Sequence, residues 1–240
     1  MRFKVTIAYD GSNYQGFQAQ TNGLGIQAVI EEVSSTIAKE PIVIFASGRT
    51  DKGVHALGQV YHFDTTNAMK ADDWFRALNT YFPMDISVLK VEEVSLDFHA
   101  RHSAIKKQYV YIISKDYNLF SRNHELYLKY TLDVFRMQKA ISDLVGQHDF
   151  KGFGAFVEYK PTIKTMFEAS IEETNTHIIF TFLANGFLKY MVRSMVGTLI
   201  DIGRGKKEPE VIKQILETQN RQLVGKTANP EGLYLKEVWY

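Results

Sequence analysis

A chain of 240 residues with 45% apolar content is long enough for one large domain or two small ones around a sizeable core. Its 28 Lys and Arg against 27 Asp and Glu leave a formal charge of +1, so net charge gives no support for a nucleic-acid partner and any basic surface must be local. The absence of cysteine excludes a disulfide framework, a thiol nucleophile and cysteine-ligated metal, and fits a reducing cytoplasm.

Met1 to Ile7 alternates apolar and polar residues and lacks the continuous apolar core of a signal peptide. No apolar run reaches the roughly 18 residues needed to span a membrane. Phe3 to Tyr9 reads as a strand ended by the turn signal Tyr9-Asp10-Gly11. Ile26, Val29, Ile30, Val33 and Ile37 fall on one face of an amphipathic helix. Strands are expected over 41–46 and 57–63, a short helix near 72–80, and a strand from Ile86 to Val94. In the second half Ala104 to Ser114 is strand-like and Leu132 to Val145 helical. Met166 to Thr174 and His177 to Ala184 form a strand pair turning at Asn175-Thr176. An apolar helix from Phe187 to Ile202, a helix from Glu208 to Glu217 and a strand from Leu233 to Tyr240 complete the chain. The pattern reads as α+β in two halves, 1–97 and 98–240, each an antiparallel sheet with helices on one side.

Ser47 to His55, Ser-Gly-Arg-Thr-Asp-Lys-Gly-Val-His, is the segment richest in chemistry. A carboxylate, Asp51, sits between Gly48 and Gly53, in a polar loop held by two strands. Loops on rigid strands are where reactive groups are usually placed. The plain alternative is a solvated β-turn, since aspartate and glycine are ordinary turn residues. By its residues alone, the loop reads as an acidic site of a soluble α+β protein.

The loop resembles the signature of the tRNA pseudouridine synthase A (TruA) family, Gly-Arg-Thr-Asp-x-Gly-Val-His. Further matches are Tyr9 to Gln18, Asp97-Phe98-His99-Ala100-Arg101, Lys107-Gln108-Tyr109-Val110-Tyr111, Gly146 to Phe150, Phe187 to Gly197 and Glu231 to Leu235. Together they extend over nearly the whole chain. Departures are small: Gly25-Ile26-Gln27 stands where Thr-Val-Gln is commoner, and Asn229-Pro230 precedes the last motif.

The resemblance implies two ferredoxin-like (RRM-like) halves whose sheets join into one continuous sheet with a central cleft. It implies isomerisation of uridine to pseudouridine at nucleotides 38 to 40 of the tRNA anticodon stem-loop, by a homodimer, without cofactor or metal. It makes Asp51 the catalytic carboxylate, Arg193 its charge partner and Tyr109 the ring against the target base. The residues support this in part. Arg193 falls on one helical ridge with Lys189 and Gly197, the glycine is expected to leave room beside the guanidinium, and an apolar helix carries an arginine only at a cost unless it is paired. Tyr109 and Tyr111 point to one face of a strand, and Tyr111 is the one that suits core packing. Arg49, Arg101 and Lys107 are candidate RNA contacts, among basic residues that include Lys106, Lys151, Lys160, Lys164, Arg204, Lys206 and Lys207. Phe150, Phe153 and Phe156 suggest an aromatic loop that touches RNA or caps the core. His99 and His102 are too sparse for a metal site, and His55 reads as shaping the loop. Two rival readings are a non-catalytic RNA-binding module of the same fold, which would not need Asp51, and a metal-dependent phosphodiesterase pairing Asp51 with Asp10.

Overall fold

The computed structural model of the protein describes residues 1–18, 23–155 and 161–240. The chain divides into two compact units, Met1–Ile105 with Tyr234–Tyr240, and Lys106–Leu233. The first unit contains β1 (Arg2–Tyr9), α1 (Ile26–Ala38), β2 (Ile44–Ala46), β3 (His55–Asp64), α2 (Ala71–Tyr81) and β4 (Ile86–Val94). The second contains β5 (Lys106–Ser114), β6 (Leu126–Tyr127), α3 (Val134–Ile141), β7 (Gly146–Asp149), β8 (Ile163–Glu173), β9 (His177–Ala184), α4 (Met191–Gly203) and α5 (Val211–Thr218). The last strand, β10 (Leu233–Trp239), returns to the first unit from Tyr234 onward.

In the first unit β1 alternates as its sequence predicts, with Phe3, Val5, Ile7 and Tyr9 buried. It lies between β3 and β4, antiparallel to both. The outer edge of β3 is shared. Ile44–Ala46 pairs with Tyr61–Phe63 at one end, and Tyr234 and Leu235 pair in parallel with His55 and Ala56 at the other. The order β4-β1-β3-β2 is that of a ferredoxin-like unit. Trp74 of α2 is fully buried, its ring 4.9 Å from Phe63 and 6.1 Å from Phe3. Asp72 and Asp73 in the first turn of α2 suit the positive end of the helix dipole. β3 shows no alternation in burial: every residue from Gly58 to Phe63 is buried. A strand covered on both faces carries no polar face to read.

The second unit repeats the order strand, helix, strand, strand, helix as β5, α3, β8, β9 and α4. β9 pairs antiparallel with both β5 and β8, and β7 adds to β8. Asp133 caps α3 by accepting the Arg136 N–H at 3.0 Å. α3 is shorter than the helical pattern over 132–145, because the chain tightens into a 3-10 turn at Ser142–Leu144 and leaves it through Gly146 at φ +118°. α4 also starts later than its apolar run suggests. Tyr190 takes a left-handed φ of +65°, so Phe187 and Leu188 extend the pattern but precede the helix. Phe150 and Phe153 are fully buried and belong to the core. Phe156 and Lys160 lie outside the described residues. Among the described residues no helix is long and apolar enough to cross a membrane.

Candidate functional site

Asp51 is half-buried at the tip of the loop between β2 and β3. The Val54 N–H closes a turn on the Asp51 carbonyl at 3.1 Å. Gly53, the third residue of that turn, has φ +74°, a conformation glycine adopts without a Cβ penalty. Arg49, two residues before the acid, is exposed.

The loop is braced on one side by the segment that follows β1. The Phe17 N–H donates to the Thr50 carbonyl at 3.1 Å. Gly16, at φ +100°, lies so close that a Cβ there would meet the Thr50 carbonyl oxygen at 2.9 Å and the Lys52 nitrogen at 3.2 Å. A Cβ on Gly11 would sit 2.0 Å from the Val54 oxygen. These two glycines therefore let one stretch of main chain lie directly on another.

Below the loop stand buried polar side chains. Tyr9 and Thr50 share a hydrogen bond of 2.8 Å between their hydroxyls. The Ser47 hydroxyl donates to Gln59 Oε1 at 2.6 Å, and Gln59 Nε2 donates to the Gly48 carbonyl at 3.0 Å. His55, buried under the Tyr234 ring at 4.8 Å, accepts the Gly11 N–H on Nδ1 at 3.1 Å. Asp10 Oδ1 lies equally close to that nitrogen, but a main-chain N–H can only donate, so Nδ1 acts as the acceptor toward Gly11. His55 thus shapes the loop, as expected. Asp10 Oδ1 accepts from the Ser12 N–H and hydroxyl at 2.9 and 2.6 Å.

In the second unit, Tyr109 is half-buried on β5 with Phe187 edge-on at 5.0 Å. Tyr111 is fully buried and donates to the Asn229 carbonyl at 2.7 Å, the core role its position suggested. Lys107 is half-buried on the same strand.

Arg193 lies in the first turn of α4, where the helix dipole opposes a cation. Its Nε donates to the Ala228 carbonyl at 2.7 Å, and the Ala228 N–H donates back to the Arg193 carbonyl at 3.0 Å. Its guanidinium carbon stands 5.6 Å from the Tyr190 ring centroid. Lys189 is not on a helical ridge with Arg193, because the helix begins after it. Nor is the space beside Gly197 open: a Cβ there would fall 1.9 Å from the Lys226 oxygen. The glycine admits the very segment that holds Arg193.

Arg101 is exposed in the turn after β4, and its N–H donates to His99 Nδ1 at 3.1 Å. His99 meets buried His62 edge-on at 4.8 Å and tilts against His102 at 4.3 Å. Sequence reading did not single out Tyr9, Gly16 or Gln59 as supports of the loop. Tyr9 and Gly16 lie within a matched motif, but Gln59 gives no signal beyond being polar within an apolar strand.

The profile of a family described as tRNA pseudouridine synthase matches residues 5–103 and 140–240. A protein of Exiguobacterium sibiricum named tRNA pseudouridine synthase A is 44% identical over 240 residues, covering 100% of this chain and 96% of that one. One of the same name from another Exiguobacterium is 45% identical, covering 100% and 98%. A third, from Levilactobacillus brevis, is 41% identical over 247 residues, covering 100% and 93%. With the signature loop set among buried supports and similarity running from end to end, the chain belongs to the tRNA pseudouridine synthase family.

Proposed function

We propose that Asp51 is the carboxylate that drives conversion of uridine to pseudouridine in the anticodon stem-loop of tRNA, at nucleotides 38 to 40. As a member of its family the protein is an isomerase acting on uridine in tRNA. In this reaction the bond from C1′ to N1 breaks, the freed base turns, and C1′ bonds to C5. Atoms and electrons balance within the nucleoside, so no redox partner is called for. A carboxylate serves as nucleophile or as acceptor of a sugar proton, and it must be ionised for either.

One observation carries the reading. Asp51 is half-buried at the tip of a loop whose neighbouring main chain is fixed by Phe17, Gln59 and Gly16. A reactive group is effective when the structure around it is already in place. Tyr109 provides a ring for stacking on the everted base, and Arg193 provides a guanidinium for compensating charge. The exposed Arg49 and Arg101, with Lys107, contact RNA phosphates. The protein works in the cytoplasm as a homodimer in which both copies grip one tRNA.

Pseudouridine mapping on anticodon-arm transcripts tests this. Asp51→Asn is expected to bind RNA like wild type and to lose about a thousandfold or more in rate. An Asp51→Asn variant as fast as wild type would remove Asp51 from the chemistry. A wild-type protein that binds the transcripts and modifies none would leave the non-catalytic RNA-binding reading.

A further inference from the structure

We infer that Tyr9 and Gln59 are positioning residues for Asp51, two buried polar side chains from adjacent strands that fix the main chain leading to the carboxylate. The inference rests on the reading of Asp51 given above.

Gln59 is fully buried and Tyr9 is 4% exposed. Both stand on strands of the first unit and both reach the loop, Gln59 Oε1 also accepting the Val60 N–H of its own strand at 3.1 Å. Gln59 holds the loop's entry. Its amide oxygen takes the Ser47 hydroxyl at 2.6 Å and its Nε2 reaches the Gly48 carbonyl at 3.0 Å. Tyr9 holds the residue next to the acid, through the 2.8 Å bond to Thr50 Oγ1. Thr50 is itself 6% exposed, and its carbonyl is taken by the Phe17 N–H. Ser47, Gly48 and Thr50 are thus each tied down, and Asp51 is the next residue.

Local strand geometry adds to this. Ile7 pairs with Gln59 but Tyr9 pairs with Ala56, so β3 carries one extra residue where it leaves the loop. Such a bulge re-aims the side chains around it. It lies between the two supports.

Apolar residues of similar size would fill these positions at less cost than hydroxyls and an amide that must find partners. A complete buried polar network fixes one geometry, which is what a reactive loop requires. Burial drives the Tyr9 phenol well above its ordinary range, despite opposing hydrogen bonds from Thr50 and Gln59. Tyr9 therefore keeps its proton and acts as a hydrogen-bonding strut.

The test is a kinetic cycle on the full-length protein with tRNA transcripts. Tyr9→Phe keeps the ring and its 6.1 Å packing on Phe17 while removing the hydroxyl. Its kcat is expected to fall about tenfold to a hundredfold, the scale for a displaced reactive group, with KM for tRNA within about twofold. Thr50→Val should lose as much, and Thr50→Ser, which restores a hydroxyl, should recover most of the rate. The double variant Tyr9→Phe with Thr50→Val should be no slower than the slower single variant. Wild-type kcat in Tyr9→Phe overturns the inference. So do additive losses in the double variant, or a fall in melting temperature without a fall in kcat. If Tyr9→Phe fails to fold, the Thr50→Ser and Thr50→Val pair still decides, and if Thr50→Val fails to fold, kcat of Tyr9→Phe does. Asp51→Asn run alongside separates the two failures, because an active Asp51→Asn refutes the catalytic reading whatever Tyr9 does.

Discussion

His62 shows how one buried residue converts packing into pH dependence. Its Nδ1 accepts the Ala100 N–H at 3.1 Å, so the ring must be neutral to make that bond. Burial, then the nearby Arg2 charge and His99, hold its pKa down at about 4, against partial compensation from Asp64 and the Phe45 main chain. The unfolded chain takes up this proton near the ordinary histidine value of about 6.5. Stability is therefore intact above that pH and falls as the pH drops from there toward 4, since only the unfolded state gains the proton. The expected slope for this one group is at most about 1.4 kcal/mol per pH unit, and urea melts of wild type against His62→Gln should show it flattened in the variant. Tyr111 gives a second prediction at this scale. Tyr111→Phe forfeits only the bond to Asn229, so stability should fall by about 1 kcal/mol with kcat unchanged. The roles of Tyr111 and His55 were legible because core packing is the ordinary fate of a strand tyrosine and loop shaping that of a histidine beside a glycine turn. Those of Tyr9 and Gln59 were not, because a polar side chain's partner is set by tertiary packing.

Among the elements, α4 departs most instructively from its pattern. Phe187, Leu188, Met191 and Val192 read as one apolar run, and nothing in that run marks the left-handed residue at Tyr190 that delays the helix. Hydrophobic periodicity reports burial, not dihedral angle. The bounds of β9 were legible to the residue and those of β3 and β8 nearly so, whereas the burial of β3 on both faces was not. Gly197 of α4 and Gly225 of the segment that crosses it face each other across a main-chain contact. A Cβ on Gly225 would meet the Gly197 carbonyl oxygen at 2.7 Å, and the Gly225 N–H donates to Thr198 Oγ1 at 3.0 Å. Gly197→Ala must push the 225–228 segment off the helix, and with it the Ala228 carbonyl that holds Arg193. Overpacking of this kind costs about 1–3 kcal/mol. Melting temperature and kcat should therefore fall together in Gly197→Ala, whereas Gly205→Ala, with open space for a Cβ but φ +70°, should lose stability modestly and leave kcat unaltered.

Across the molecule, the α+β class and the repeated strand–helix–strand–strand–helix order were legible from periodicity and turn residues. The return of Tyr234–Tyr240 to the first unit was not, since a closing strand looks alike whichever sheet receives it. That return ties several parts of the first unit together. Tyr234 covers His55, the Ile105 N–H donates to the Trp239 carbonyl at 2.8 Å, and the Tyr240 hydroxyl donates to the Ala100 carbonyl at 2.8 Å. Lys4 stands over the Tyr240 ring at 5.0 Å. Deleting residues 234–240 removes all of these and exposes the β3 edge beside the Asp51 loop. The deletion should abolish pseudouridine formation, and hydrogen exchange should show protection lost around β3 while it persists in β8 and β9. A chain whose β3 protection survives the deletion would show that the strand is dispensable.

This closing strand also bears on how the protein comes into being. The ribosome releases residues 1–105 well before the seven that complete their sheet, with the whole of Lys106–Leu233 still to be translated. At about 5–20 residues per second that interval is on the order of ten seconds. Throughout it the nascent first half has an unfilled strand position beside His55, a temporary edge open to chaperones and to mispairing. The setting of the Asp51 loop is therefore completed only once β10 has been made, and translation products that stop short of it carry the signature loop without its finished surroundings.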